Sequence, residues 1–444
     1  MTKDHKTVRD ESNLIVHEGE KKKSALLVSV YQATEDRPVC EEHLSELDLL
    51  SQTFGIEVVG KVPCSLRKPD PSTFITKGKL EELIAKADSL HVDYIVFDDE
   101  ITPAQQRNLQ NAFKRPVMDR TEVILGVFAQ RAQTKEARLQ IELARVKYNA
   151  PRLKNMWSHF SRQAGGGGGS RGGGYQRGEG EKQLELDRRI LKRKIETLQK
   201  EIDEVKSNRE TLRQARVRSE IPVFAIVGYT NAGKSTLLNA LTQAGVFVED
   251  KLFATLDTTT RKFTLKNHQD ILLVDTVGFI RKLSHLLVAA FKSTLEEAVE
   301  ADILLHLIDV SHPLAEEQAV TTQKVLKELG ASHKPVITVF NKIDACTNPG
   351  RLHRLRMTYP KNVQISALKG IGFDDLQEII IQELSKQRQV VEFRIPQSDY
   401  ASVSEVIRLG HLIKQEYEEN DILLKVDVPH AVAMKFERYR IQPA

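Results

Sequence analysis

Apolar positions along this chain repeat with two periods, and the periods alternate. Ala25-Leu26-Leu27-Val28-Ser29-Val30 is a short apolar run, the pattern of a strand covered on both faces. Leu44, Leu47, Leu50 and Phe54 then recur at helical spacing and predict a helix over 41–53, capped by Gly55. The alternation continues with a strand at 56–59, a helix at 79–89, a strand at 92–97, a helix opened by Thr102-Pro103 and running to Phe113, and a short strand at 116–119. Strands separated by helices predict a parallel sheet, so 24–120 reads as a small α/β domain behind a polar, disordered tail at 1–23. The acids Asp98-Asp99-Glu100 follow the third strand, where α/β folds place ligands; a solvated loop with a helix N-cap is the other reading.

From Thr121 to Tyr148 the period is helical, through Ile124, Phe128, Leu139, Leu143 and Val146, and Pro151 is expected to interrupt it. Residues 165–180 hold ten of the 24 glycines, a composition that forms no packed element. Leu184, Leu191, Leu198, Val205 and Leu212 then recur every seven residues, with Ile195 and Ile202 on the alternate seam, a two-stranded coiled-coil pattern. The economical expectation for 121–218 is an antiparallel helical hairpin with the glycine loop at its tip.

A second α/β domain follows at 219–386, with strands expected near 223–227, 261–265, 270–275, 302–308, 335–340 and 362–365. A small α+β domain is expected at 387–444, from a strand at 391–395, a helix at 402–415 and a strand at 422–428. The fold class is thus α/β and multidomain, and 444 residues allow each part its own core.

Charge changes this picture at one place. The net charge is only +4, yet 131–177 carries ten Lys/Arg against Glu136 and Glu142, a local +8. Such a block calls for a polyanionic partner. Arg162, Arg171 and Arg177 beside Tyr175, on a flexible backbone, suit RNA phosphates and base stacking; an idle linker is the plain alternative. No run of eighteen apolar residues predicts a membrane span, and the N-terminus has no signal-peptide core. Cys40, Cys64 and Cys346 form no metal pattern, and their odd number fits a reducing cytoplasm.

The chemistry concentrates in the second α/β domain. Gly228-Tyr229-Thr230-Asn231-Ala232-Gly233-Lys234-Ser235-Thr236 follows an apolar strand and enters a helical pattern. That is a P-loop in strand–loop–helix context: backbone amides cradle phosphates, Lys234 reaches the β- and γ-phosphates, and the Ser235 hydroxyl binds Mg²⁺. Forty residues after Ser235, an apolar strand ends in Asp275-Thr276-Val277-Gly278. The aspartate suits a Mg²⁺-bound water, and the Gly278 amide suits a γ-phosphate. Asn341-Lys342-Ile343-Asp344 closes another strand; the Asp344 carboxylate can accept from both guanine N1–H and the exocyclic amine, while the Lys342 stem covers the base. Ser366-Ala367-Leu368 offers backbone to the guanine oxygen. Together these specify GTP over ATP. Phe253-Ala254-Thr255-Leu256-Asp257 lies where a loop should close on metal and γ-phosphate. Phe279, after Gly278, cannot orient a water, so no catalytic residue is named and intrinsic hydrolysis should be slow and partner-stimulated. His285, Glu296 and Glu297 are near enough in sequence to orient the water, with a solvated helix face an equally good reading, and His306 reads as a satisfied core histidine.

These motifs, with Asp119-Arg120-Thr121 and Gly180-Glu181-Lys182-Gln183-Leu184-Glu185 after the glycine loop, resemble the bacterial HflX GTPases over about 24–386. The resemblance implies a cytoplasmic, Mg²⁺-dependent GTPase that binds the large ribosomal subunit and its rRNA and splits stalled ribosomes. Its alternative is a GTPase acting on another RNA or in ribosome assembly. The resemblance also implies Thr255 as a Mg²⁺ ligand, with Thr259 as runner-up. Asn231 stands where similar GTPases coordinate K⁺, or it only shapes the loop. Thr258 and Ser284 stand where the family commonly has proline. A monomer is expected.

Overall fold

The computed structural model describes residues 23–163, 186, 188–207, 221–242, 252–386 and 388–441. They form two compact units, one of residues 1–200 and 282–290, the other of 201–281 and 291–444.

In the first unit, β1 (Ser24–Tyr31), β2 (Glu57–Ser65), β3 (Tyr94–Phe97) and β4 (Val117–Asp119) form a four-stranded parallel sheet in the order β2-β1-β3-β4. The intervening helices are α1 (Arg37–Phe54), α2 (Lys77–Ser89) and α3 (Pro103–Phe113). Gly55 ends α1 in the left-handed region, and a capping box between Thr102 and Gln105 starts α3. A cap of that kind is worth ~1 kcal/mol. Leu26, Val28, Ile95, Phe97, Leu109 and Val117 pack into one core, each large side chain contributing about 1.5–3 kcal/mol of burial.

Helices α4 (Arg120–Arg131) and α5 (Lys135–Gln163) follow. Contrary to expectation, Pro151 lies inside α5. Proline removes a helical hydrogen bond, but Arg152 fastens the chain at that point. Its guanidinium donates to the Tyr148 carbonyl (3.0 Å), Gln106 Oε1 (2.8 Å), the Ile101 carbonyl (3.1 Å) and Asp119 Oδ2 (3.1 Å), and it stacks on the Tyr148 ring. Residues 188–207 form helix α6, on which Leu198 and Ile202 are buried, and Lys194 pairs with Glu142 of α5 at 2.9 Å. The glycine loop at 165–180 lies outside the described residues.

In the second unit, β5 (Val223–Gly228), β6 (Thr259–Thr264), β7 (Asp270–Asp275), β8 (Ile303–Asp309), β9 (Val336–Asn341) and β10 (Asn362–Gln364) form a sheet in the order β10-β9-β8-β5-β7-β6. It is parallel except for β6, which runs antiparallel to β7. Helices α7 (Lys234–Thr242), α8 (His285–Glu300, of which only 291–300 belong to this unit), α9 (Ala315–Glu328), α10 (Pro349–Thr358) and α11 (Phe373–Lys386) alternate with the strands along the chain. Phe224, Ile226, Leu273, Leu305, Ile337 and Val339 are buried in the main core of this sheet.

The chain ends in a three-stranded antiparallel sheet, β11 (Arg388–Pro396), β12 (His411–Glu418) and β13 (Asp421–Pro429), ordered β11-β13-β12, with α12 (Tyr400–Leu409) and α13 (His430–Lys435). The helix expected over 402–415 stops at Leu409, and 411–418 is a strand instead. Pairing along β13 supplies the backbone hydrogen bonds there and overrides the helical spacing of the sequence.

Candidate nucleotide site

The P-loop runs from the C-terminal end of β5 into the N-terminus of α7, and β7 and β9 end at the same sheet edge. Parallel α/β sheets place ligands at this edge. A cleft there is lined by Thr230, Asn231, Gly233, Lys234, Ser235 and Thr236 of the loop, by Phe253, Ala254 and Thr255, and by Thr276 and Gly278. All eleven belong to the segments singled out in the sequence. Two glycines allow the close approach. A Cβ on Gly233 (φ +92°) would lie 2.3 Å from Asn341 Nδ2, and one on Gly278 would lie 2.8 Å from Thr230 Cα and 2.9 Å from Lys234 Nζ. Asn231 (φ 60°), Phe253 (φ 56°) and Lys342 (φ 61°) take the left-handed region without being glycine, a cost of about 1–3 kcal/mol each that is found mostly at functional sites.

Lys234 is buried, and its ammonium donates to the carbonyls of Tyr229 (2.8 Å) and Gly228 (3.3 Å). Burial pushes its pKa down to about 8, and neighbouring Asp275 pulls the other way. Burial likewise raises the Asp275 carboxyl, opposed by Lys234 and by hydrogen bonds from Ser235 and Thr255. The Ser235 hydroxyl donates to Asp275 Oδ2 at 2.6 Å and lies 2.7 Å from Thr255 Oγ1. Asp275 Oδ1 and Thr230 Oγ1 are buried with no hydrogen-bond partner. Two hydroxyls and a carboxylate, with one buried oxygen unsatisfied, fit a hard oxygen-seeking cation such as Mg²⁺. Thr259 opens β6 instead, so Thr255 is the threonine beside Ser235.

Segments 341–344 and 366–368 are braced against the loop. Asn341 donates from Nδ2 to the Ala232 carbonyl (2.8 Å) and accepts at Oδ1 from the Ala367 amide (2.9 Å). Lys342 pairs with Asp309 at 2.7 Å. Asp344 is held below the usual carboxylate range, first by a hydrogen bond from Ser366 and then by Lys369. Leu368 is 81% exposed. Tyr229, Ala232, Leu256 and Val277 are buried around the cleft rather than lining it, while Asp257 and Ile343 are half-buried.

Asp309 escaped the sequence reading, although its signal matched that of Asp275: an acid closing an apolar strand. Phe279 is buried and hydrogen-bonded through its backbone to the P-loop, so it offers no group to a water. Two expectations need correction. Glu297 is buried, not on a solvated face, because α8 turns it inward. His306 is in the core, but its Nε2 has no partner, and burial drops its pKa to about 4, which keeps the ring neutral. It packs edge-on to Tyr359 instead. Of the acids after β3, Glu100 is exposed, as the solvated reading has it, and Asp99 pairs through Oδ1 with Lys282 at 2.5 Å while its Oδ2 has no hydrogen-bond partner. Asp98 is fully buried and paired with Arg120 at 3.0 Å and Lys282 at 2.9 Å. Arg162 lies near the end of α5, while Arg171, Tyr175 and Arg177 lie outside the described residues.

Among the described residues no helix is long and apolar enough to cross a membrane. The sheet, the P-loop and the asparagine-braced base segments define a P-loop GTPase. Family models described as GTP-binding GTPase N-terminal, GTP-binding GTPase middle region and 50S ribosome-binding GTPase match residues 41–129, 131–216 and 223–342. The GTPase HflX of Chlamydia pneumoniae is 44% identical over 417 residues, covering 94% of this chain and 88% of that protein. The GTPase HflX of Escherichia coli is 38% identical over 407 residues, covering 91% of this chain and 93% of that one. The chain belongs to the HflX family of GTPases, which bind GTP and hydrolyse it to GDP and phosphate. A GTP-binding protein from Sulfolobus solfataricus, solved with GDP, is 26% identical, covering 82% of this chain and 99% of its own; its TM-score of 0.43 carries no argument about geometry.

Proposed function

We propose that this GTPase, in its GTP state, binds the large ribosomal subunit and splits or rescues stalled ribosomes in the cytoplasm. The observation that carries the reading is the +8 concentrated in 131–177, on a chain whose 223–342 matches a 50S ribosome-binding GTPase model. The division into 1–23, 24–120, 121–218, 219–386 and 387–444 goes with it: 219–386 binds nucleotide and 121–218 reaches rRNA. Helix α5 has 29 residues, so it spans about 45 Å. Arg162, Arg171 and Arg177 pair with phosphates there, and Tyr175 stacks on a base.

In the nucleotide site, residues 228–236, 253–257, 275–278, 341–344 and 366–368 surround GTP. Ser235 and Thr255 hold Mg²⁺, which neutralises charge on the β- and γ-phosphate oxygens. Asn231 contributes to a K⁺ site beside them; turnover that is equal in K⁺ and Na⁺ buffers, with ribosomes present, removes this part. Hydrolysis is slow alone and stimulated by the ribosome.

Sedimentation with purified 50S subunits tests the whole. Pelleting that depends on a non-hydrolysable GTP analogue is expected, and pelleting that is absent or indifferent to nucleotide overturns the reading. Stimulation of phosphate release by another RNA, but not by 50S subunits, would point to the alternative role. Deleting 165–174 is expected to leave GTP binding intact and to abolish splitting, measured by light scattering of 70S ribosomes.

A further inference from the structure

Helix α5 and residues 188–200 of α6 both belong to the first unit, and a cavity of about 370 Å³ lies between them. That volume is in the range of ligand clefts. On α5 its wall is one helix face, because Arg138, Ile141, Arg145 and Asn149 recur at intervals of three and four. Leu191 and Lys194 of α6 line the other side, and the Lys194 ammonium lies 2.9 Å from Glu142 Oε1.

Part of the lining is apolar: Ile141 is buried, and Val146 and Leu191 are half-buried. The polar groups beside them keep donors to offer. Arg138 donates through Nε to the Ala132 carbonyl at 3.1 Å, which leaves its two terminal nitrogens. Among the described residues, the half-buried Arg145 guanidinium and Asn149 amide have no hydrogen-bond or ion-pair partner. Arg145 acts on Glu122 through its charge alone, opposing the rise that burial causes there.

Both walls are basic. Residues 135–152 carry five Lys/Arg against Glu136 and Glu142, and 188–200 carry six against Glu196. Such a field favours a polyanion. An acidic peptide would need the cations only. Aliphatic side chains beside a guanidinium plane and an amide suit a flat ring whose edge carries donors and acceptors. Arg138 and Arg145, seven residues apart, are about 10 Å apart along the helix axis, so one can hold a base and the other a phosphate.

We propose that this cavity receives one unpaired base of single-stranded RNA. The base stacks on Arg145 and bonds at its edge to the Asn149 amide, while Arg138 and Lys194 pair with flanking phosphates. The proposal rests on the reading of 121–218 as the part that reaches rRNA. It adds a base pocket on the helical stem, built from residues separate from the glycine loop.

The test is fluorescence anisotropy of a short labelled single-stranded RNA of mixed sequence, titrated with full-length protein. The variants are Arg145→Ala, Asn149→Ala, Ala129→Trp and Lys147→Ala. Ala129 lines the cavity and is exposed, so tryptophan there fills the space without changing the charge; Lys147 is exposed on α5 outside the cavity. Arg145→Ala and Ala129→Trp should each weaken RNA binding about tenfold, and Asn149→Ala about threefold. Lys147→Ala should cost no more than about twofold. Thermal unfolding by circular dichroism checks that each variant is folded. The proposal fails if the natural protein does not bind the RNA, or if Arg145→Ala and Ala129→Trp lose no more than Lys147→Ala. It also fails if AMP, an RNA duplex or polyglutamate displaces the probe as well as unlabelled single strand does. Sedimentation with 50S subunits separates this proposal from the reading beneath it. If the natural protein pellets but RNA binding is undiminished in both pocket variants, the pocket is lost and the ribosomal reading stands. If it does not pellet but RNA binding falls in both, the pocket stands and the ribosomal reading is lost.

Discussion

The molecule contains two α/β sheets, one parallel and one parallel except for β6, each with strands that end in aspartates, and they use them in opposite ways. In the first sheet Asp98 and Asp119 close β3 and β4. Asp98 is taken up by Arg120 and Lys282; Asp119 accepts from the Tyr148 hydroxyl (2.8 Å), Arg152 (3.1 Å) and the Glu122 amide (2.9 Å). Arg120 is itself buried and paired a second time, with Glu46. In the second sheet Asp275 keeps one buried oxygen unpaired, beside Thr230 Oγ1, which is also unpaired. The loops around it hold residues in the left-handed region. A ligand site on this architecture therefore depends less on acids at strand ends than on leaving their oxygens unsaturated and letting glycine backbone approach them.

The largest expected effect sets the two aspartate ends against each other. Arg120→Met leaves Asp98 and Glu46 without their shared cation and should destabilise the first unit by about 3–5 kcal/mol in chemical denaturation. Asp275→Asn removes a charge that burial already disfavours. It should change stability by less than about 1 kcal/mol while abolishing Mg²⁺-dependent GTP binding. Equal stability losses in the two variants would erase the contrast.

Asp344→Asn comes next. It turns one acceptor facing the guanine amine into a donor, which should cost about 2–4 kcal/mol of GTP affinity. Xanthosine triphosphate should gain in return. Unchanged selectivity between the two nucleotides, measured by competition, would remove Asp344 from base reading.

The smallest effect lies in the saturated sheet. Glu122 on α4 has its pKa raised from 4.5 to about 7, by burial first and by Asp119 second, against Arg152, Gln106 and Arg145. The folded pKa is above the unfolded one, so the folded state prefers the protonated acid. Its stability contribution is complete below pH 4.5 and is lost as pH rises to about 7. The residue is partly exposed, which trims the loss to about 2 kcal/mol. Glu122→Gln should flatten that slope in urea melts taken across this window. An unaltered slope would mean that Glu122 titrates as an ordinary surface acid.

Much of this protein is set by residues close together in the chain. The alternation of apolar runs and helical spacings marks all ten strands of the two α/β sheets, because strand and helix periods are local properties. The phosphate loop is legible for the same reason: its glycines, Lys234 and Ser235 are consecutive, and only their backbone geometry has to form. Asp275 and Asp344 announce themselves as acids that close or follow apolar strands. Tertiary structure alone decided the rest. Arg120 meets Asp98 from 22 residues away and Glu46 from 74, and Lys282 reaches Asp98 from 184. No period carries such a pairing. Pro151 stays in a helix because Arg152 finds Asp119 and Ile101 across the fold, and 411–418 becomes a strand because β13 is there to pair with it. Burial in those places is a property of the assembled sheet, and it fixes which aspartates are saturated and which remain open to a ligand.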